Sequence, residues 1–424
     1  MGAHAVARLD WLLGAIADPS GLTLEELEAT YHITDWRNWS LEDELRMLRG
    51  DTQVKRPFTV TSRTVVDGAA VAVVHDVNDK DWQITVWAED ETPHRINGLR
   101  IVPAPPEGLT VRDATPDEAA VLTALERRSP IRLGDTRMYF DRGEDYFAAA
   151  RLMGEVTVYV AHFEDEQVAG VYWGAQQHVL VGGEPKVLFL ENRVRIDPES
   201  RRGGVFWALC VYGRDRYART SDSIAFYVSP DNEAVQKFVR GAPKWTVQPE
   251  RVLVPCVAGS APSPRRASKE DAEQIVEILN AAHAGEALYV PYTVDSLAER
   301  LARDPAQYSW NDLRINDGAV VGVGRQTVEV TKVTGDERVR TNRAVVLDHG
   351  GAPDAYRSLL SATAAELAPD GVTHLAAFTS EGSSTLGVLR ELGVAIEPYD
   401  FWAFEIECPG DLAETGFYVD PVYF

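Results

Sequence analysis

Apolar residues recur at helical spacing over three early stretches, about Ala7–Ile16, Thr23–Thr30 and Leu41–Leu48. Alternating apolar and polar residues then mark strands near Phe58–Val66, Ala69–Val77, Trp82–Ala88 and Leu99–Val102. Helices first and an antiparallel meander afterwards predict a small α+β domain. Further along, the pattern becomes strand, one or two helices, three strands, helix, strand, helix and strands, and it occurs twice. That order predicts mixed α/β sheets.

Two proline-rich stretches without periodicity, Val102–Gly108 and Ala258–Pro264, read as linkers. They divide the chain into residues 1–105, 109–257 and 264–424. The second and third segments match in ordered blocks at an offset of about 150 residues, the signature of an internal repeat. Thr115 and Ser268 are helix N-cap candidates, and Thr115 with Glu118 forms a capping box around Pro116. Leu122 with Leu125, and Ile275 with Ile278, follow at helical spacing. Gly170 matches Gly322, and Ser229 matches Ser380.

Composition changes this picture little. The chain has 424 residues, 45% of them hydrophobic and 25% charged, as in ordinary globular proteins. No apolar run approaches the roughly 18–20 residues of a membrane span. No secretion signal is read at the N-terminus, and three scattered cysteines, Cys210, Cys256 and Cys408, offer neither metal spacing nor a disulfide framework. A cytoplasmic location is expected. The net charge of −23 argues against general affinity for nucleic acid or anionic membrane. It leaves open simple solubility or an attraction for cationic, amine-bearing substrates.

The chemically informative stretch is Leu188–Leu209. A strand over about Val187–Ile196 leads through an Asp197-Pro198 turn into a basic glycine loop, Arg201-Arg202-Gly203-Gly204. The loop opens a helix through Val205, Phe206, Ala208 and Leu209. Glycines let backbone N–H groups approach a pyrophosphate, the helix start adds partial positive charge, and arginines add charge-assisted contacts. A plain basic strand-to-helix turn is the alternative.

This segment resembles the coenzyme A-binding motif of the GNAT N-acetyltransferase superfamily, Q/R-x-x-G-x-G/A after a V-x-P turn. Arg201 and Gly204 fit the motif, while Phe206 stands where the family usually has Gly or Ala. Val194 and Ile196 on the preceding strand, with Arg202, Gly203 and Val205, complete the implied cofactor set. Asn232, followed by Ala234, matches the family's Asn on the next helix. The family's Tyr, which protonates the leaving thiolate, falls on Val239, so Tyr227, another phenol or water must substitute. The resemblance implies acetyl-CoA as cosubstrate and direct acyl transfer to an amine, with a base or water chain taking the proton and backbone N–H groups stabilising the oxyanion. Glu191 stands where the family often has its base; alternatively it is a strand carboxylate paired with Arg193. Simple alternation puts Asn192, Val194 and Ile196 on one strand face and Glu191, Arg193 and Arg195 on the other.

At the equivalent loop the second copy has Leu347–Ala355, with no arginine and with Asp354 at the helix start, and Ser383 replaces the Asn. The cofactor signature is lost, which points to one wall of an acceptor cleft; Asp348 and His349 are read as loop residues, either catalytic or simply solvated. The first 105 residues resemble cystatin/NTF2-like α+β domains through Gly21–Glu28 and Pro93–Ile101. There His32, Asp35 and Glu42 either line a pocket or lie on helix surfaces, and Tyr31, Trp36, Trp39, Trp82 and Trp87 are expected to form a core. The leading expectation is an acyl-CoA-dependent N-acyltransferase acting on a small-molecule amine. Its rivals are a non-catalytic GNAT-like binding protein and an isomerase or cyclase activity in the N-terminal domain.

Overall fold

A computed structural model gives the architecture. It describes residues 2–32, 40–164, 167–201, 204–217, 220–239, 244–259, 263–404, 406, 408–410 and 412–423. Two compact units emerge, Met1–Thr110 with Ser200–Val211, and Val111–Glu199 with Tyr212–Phe424.

The first unit opens with helices α1 (Gly2–Ala17), α2 (Leu24–Thr30) and α3 (Leu41–Arg46). Capping boxes start α2 at Thr23/Glu26 and α3 at Ser40/Asp43, so the first-turn N–H groups are satisfied locally. Strands β1 (Phe58–Val66), β2 (Ala69–Asp76), β3 (Asp81–Ala88) and β4 (Ile96–Pro103) form an antiparallel meander in sequence order. Leu9, Leu12 and Ile16 of α1 are buried in one core with Ala72, Val74, Ile84 and Val86. The helix-then-meander expectation matches element for element. Tyr31 is buried and Trp82 packs against this core, while Trp36 and Trp39 lie outside the described residues. His32 is exposed and pairs with Glu89, Glu42 lies in the first turn of α3, and Asp35 lies outside the described residues.

The rest of the chain runs β5 (Thr110–Asp113), α4 (Ala119–Arg128), β6 (Ile131–Leu133), β7 (Thr136–Asp141), α5 (Ala148–Met153) and β8 (Val156–His162). Then come β9 (Val168–Val181), β10 (Glu184–Ile196), α6 (Val205–Tyr217), β11 (Ser223–Val228), α7 (Glu233–Phe238) and β12 (Glu250–Pro255). After the second linker follow α8 (Ala272–Ala282), α9 (Val294–Ala302), β13 (Leu313–Asn316), β14 (Ala319–Thr334) and β15 (Glu337–Gly351). The chain closes with α10 (Pro353–Leu367), β16 (His374–Thr379), α11 (Leu386–Leu392), β17 (Ala395–Pro398), β18 (Asp400–Ala403) and α12 (Leu412–Thr415).

A six-stranded sheet has the order β18-β11-β10-β9-β8-β5, and a larger one the order β17-β12-β16-β15-β14-β7-β6, with β13 also on β14. Both are mixed. An antiparallel pair, a helix and a parallel return strand recur as β9-β10-α6-β11 and β14-β15-α10-β16. The sheets interlock: β12 lies between β16 and β17, while β18 pairs with β11. Capping boxes form at Thr115/Glu118 and Ser268/Asp271, and Leu122, Leu125 and Ile275 are fully buried in one continuous core. Ile278 only packs against its edge.

Candidate active site

Strands β10 and β11 run parallel for three residue pairs, Leu188↔Ser223, Phe189↔Ile224 and Leu190↔Ala225. There the registered pairing ends, although β10 continues to Ile196 and β11 to Val228, which pairs with Asp400 of β18. The two C-terminal strand ends therefore part, and such openings are where ligands bind in α/β sheets.

Along the opening, β10 is bulged. Asn192 lies opposite Trp173 and Arg195 opposite Val171, so β10 carries one extra residue. Arg193 takes it up with φ at +48°, a left-handed conformation that a long side chain adopts only under constraint from its surroundings. The bulge resets the alternation. Asn192 and Arg195 share a face, contrary to the simple alternation expected from the sequence.

Glu191 faces away from them. It is 8% exposed, and its carboxylate accepts from Arg214 of α6 twice, Nε to Oε1 at 2.7 Å and Nη2 to Oε2 at 3.0 Å. Its partner is thus Arg214 and not Arg193, whose guanidinium lies 4.4 Å from the Trp173 ring centroid. Burial, reinforced by nearby Arg142, pushes the Arg193 pKa well below its ordinary value, while Glu126 opposes the shift.

Tyr227 of β11 has the parity of Ala225. Its ring meets Phe401 at 4.8 Å and Phe417 at 6.3 Å between centroids. Burial raises its pKa well above the usual phenol value, so the hydroxyl stays protonated and is a weak acid. Glu191 and Tyr227 therefore project from opposite faces of one sheet. The structure does not bring the two expected catalytic groups together.

Behind the bulge lies a cluster that the sequence reading missed. Glu126 of α4 is 3% exposed and accepts from Arg142 at 3.2 Å and Arg195 at 3.5 Å. Burial raises its pKa, but Arg142, Arg195 and Arg193 outweigh that and hold it below the usual carboxylate range. Both Arg142 and Arg195 also lie over the Phe140 ring, at 5.6 and 5.1 Å. Arg142 in turn lines a groove of about 880 Å³ with Arg127, Asp141, Asp145, Arg325 and Gln326. Ion pairs formed 16 and 69 residues apart leave no local pattern to find.

In the first unit, Arg201 is exposed, and Arg202 and Gly203 lie outside the described residues. Gly204 is buried, and a Cβ placed there would meet the Ala104 carbonyl oxygen at 2.2 Å. The linker backbone alone thus accounts for a glycine at this position. Val205 is buried, and Phe206 is half-buried with its ring edge-on to Trp207 at 5.7 Å. In the second unit, Val194 and Ile196 are half-buried. The Asn232 side chain caps α7 by accepting from the Val235 N–H at 3.5 Å, and Val239 is buried at the end of that helix.

The second copy's loop is shorter than expected. Residues 348–351 pair with 319–322, so β15 runs on to Gly351, and Asp348 and His349 are buried strand residues. Asp348 accepts from Tyr292 at 2.8 Å, Tyr308 at 2.7 Å and Arg300 at 3.2 Å. His349 Nε2 lies 3.1 Å from the Phe378 carbonyl, which can only accept, and its Nδ1 lies 2.8 Å from the Tyr356 hydroxyl. The ring is therefore a neutral Nε2–H tautomer, and burial lowers its pKa from 6.5 to about 3. Among the described residues no cluster of potential metal ligands occurs, and no helix is long and apolar enough to cross a membrane.

The sequence matches no protein-family model and no curated relative. Similar solved structures exist. One is Saccharomyces cerevisiae N-myristoyltransferase with bound myristoyl-CoA, 10% identical, covering 78% of this chain and 96% of that one at a TM-score of 0.53. A second structure of that enzyme, with myristoyl-CoA and inhibitors, is 10% identical and covers 76% and 83% at 0.54. A GCN5-related N-acetyltransferase from Sphaerobacter thermophilus is 13% identical and covers 74% and 100% at 0.45, too loose a likeness to carry weight. The chain has a mixed α/β fold of the kind found in N-myristoyltransferase.

Proposed function

We propose that this chain is an acyl-CoA-dependent N-acyltransferase that moves an acetyl or longer acyl group from coenzyme A to the amine of a small molecule. The observation that carries the reading is the opening between β10 and β11, bulged at Arg193, in a fold shared with an enzyme that binds an acyl-CoA. Residues 109–257 and 264–424 would be copies of one unit, with the donor held by the first and the acceptor cleft walled by the second. The recurring β-β-α-β order supports that duplication.

The residues present fit the acyl end of a donor: the strands part, and the amide of Asn192 is buried there without a hydrogen-bond partner. Val194 and Ile196 would offer backbone to the donor, and Arg201, Arg202, Gly203, Gly204, Val205 and Phe206 would flank the diphosphate. Gly204 is occupied with the Ala104 backbone, so the loop's arginines and N–H groups, rather than an open glycine cradle, would bind phosphate. Coenzyme A supplies an activated acyl carbon. Tyr227 stays protonated and can donate to a leaving thiolate only weakly. Glu191 is engaged by Arg214 and serves first to anchor that helix; water then takes the amine proton. An assay of thioester consumption over a panel of amines tests the proposal. Amine-dependent release of coenzyme A is expected, and donor binding without release for any amine would leave a binding protein instead.

A further inference from the structure

Asn192 stands out from the residues that resemblance and sequence pattern single out. It sits two residues past the last parallel pair of β10, on the face of Leu190. Tyr227 sits two residues past the same point on β11, on the face of Ala225. Leu190 pairs with Ala225, so Asn192 and Tyr227 flank the opening from the same side. Across β9, Trp173 lies opposite Asn192, with its indole N–H donating to the Tyr146 hydroxyl at 3.0 Å. Both ends of the Asn192 amide, Oδ1 and Nδ2, are buried without a hydrogen-bond partner. Buried amides in folded proteins nearly always find partners, and leaving donor and acceptor unmet destabilises the fold. A strand that needed only packing here would place leucine.

We infer that Asn192 is the residue that binds the reacting centre and selects a primary amine as acceptor. The assignment rests on the acyltransferase reading above. An amide offers an N–H and a carbonyl oxygen side by side. Its complement is a group with an acceptor beside a donor: the acyl oxygen next to an amine N–H. The amine nitrogen forms a bond to the acyl carbon and passes one proton to water. The C–S bond breaks, its electron pair stays on sulfur, and the coenzyme A thiolate then takes a proton. A primary amine that has given up one proton still carries an N–H for Oδ1. An alcohol carries none after the same loss. Nδ2 meanwhile donates to the acyl oxygen as its charge builds. Asn192 thereby favours aminolysis over esterification.

The test compares the full chain with Asn192→Leu and Asn192→Asp, using acetyl-CoA and a panel of primary amines and alcohols. Asn192→Leu should bind coenzyme A within about two-fold of the parent and melt no lower than it, because no native hydrogen bond is lost. Its kcat/KM for amines should fall by on the order of 10²-fold, as for loss of one donor at an oxyanion. The ratio of aminolysis to esterification should fall with it. Asn192→Asp keeps the acceptor oxygen and should retain more of that ratio than the leucine variant. A leucine variant that melts several degrees lower would make the amide structural and overturn the assignment. Undiminished amine transfer with donor binding intact would overturn it while leaving the acyltransferase reading standing. A parent protein that consumes no thioester with any amine would sink that reading, and the assignment with it.

Discussion

Glu191→Gln separates the two roles of the carboxylate at the head of the opening. In the fold Glu191 is 8% exposed and holds the Arg214 guanidinium through both oxygens, while the Arg214 side chain is 24% exposed. Removing one partner of a fully buried pair costs about 3–5 kcal/mol, because the other charge is left without compensation. Water reaches Arg214, and glutamine keeps one oxygen to accept from it, so about 2 kcal/mol is a fair expectation. In a unit as large as Val111–Glu199 with Tyr212–Phe424 that corresponds to roughly 3 °C in Tm. The assay is urea and thermal unfolding of the parent, Glu191→Gln, Arg214→Met and the double variant. The double-variant cycle should return a coupling of about 1–2 kcal/mol, within the range for residues in contact. Coenzyme A affinity and kcat are measured on the same samples. If Glu191→Gln unfolds within about 0.5 kcal/mol of the parent while kcat falls by on the order of 10²–10⁴-fold, Glu191 is the general base and the anchoring argument fails.

Two further outcomes follow from buried groups. His349 is neutral in the fold down to about pH 3, whereas in the unfolded chain it protonates below about 6.5. The unfolded state therefore binds more protons between those values. The stability from a neutral His349 is complete above pH 6.5 and is lost as pH falls, by at most about 1.4 kcal/mol per pH unit. Urea midpoints from pH 7 to 4 should fall less steeply in His349→Gln, and equal slopes would refute a buried neutral His349. Gly204→Ala places a methyl 2.2 Å from the Ala104 carbonyl oxygen, a rigid backbone atom. It should destabilise the first unit by about 1–3 kcal/mol, the usual effect of overpacking, and an unchanged unfolding curve would show that linker and loop do not touch. Gly351 is no neutral control for it. Its φ is +140°, and a Cβ there would lie 2.2 Å from the Gly318 carbonyl oxygen.

Local chemistry was legible in the sequence, and long-range pairing was not. The capping box at Thr115, the N-cap at Ser268 and the helix-then-meander order of the first hundred residues depend on neighbours within a few positions, so the sequence displays them. The bulge at Arg193 is invisible to any alternation rule, because a single extra residue swaps every later side chain to the other face. The partner of Glu191 was sought at Arg193, two residues away, but stands on the helix at Arg214. Asp348 and His349 precede two glycines and so read as loop, yet pairing with β14 carries the strand through them. Strands β12 and β18 cross into sheets that local pattern would never assign to them. Asn192 was placed on a face but given no role, since a missing hydrogen bond shows only in three dimensions.

The central claim is donor use, and calorimetric titration of coenzyme A and acetyl-CoA into the full chain tests it most directly. One site per chain is expected, because the second copy has no arginine in its loop and Asp354 at the start of α10. Arg201→Ala should weaken that site about ten-fold or more, the usual effect of losing a contact to a charged group. No heat at millimolar ligand, or two equivalent sites, would contradict the account.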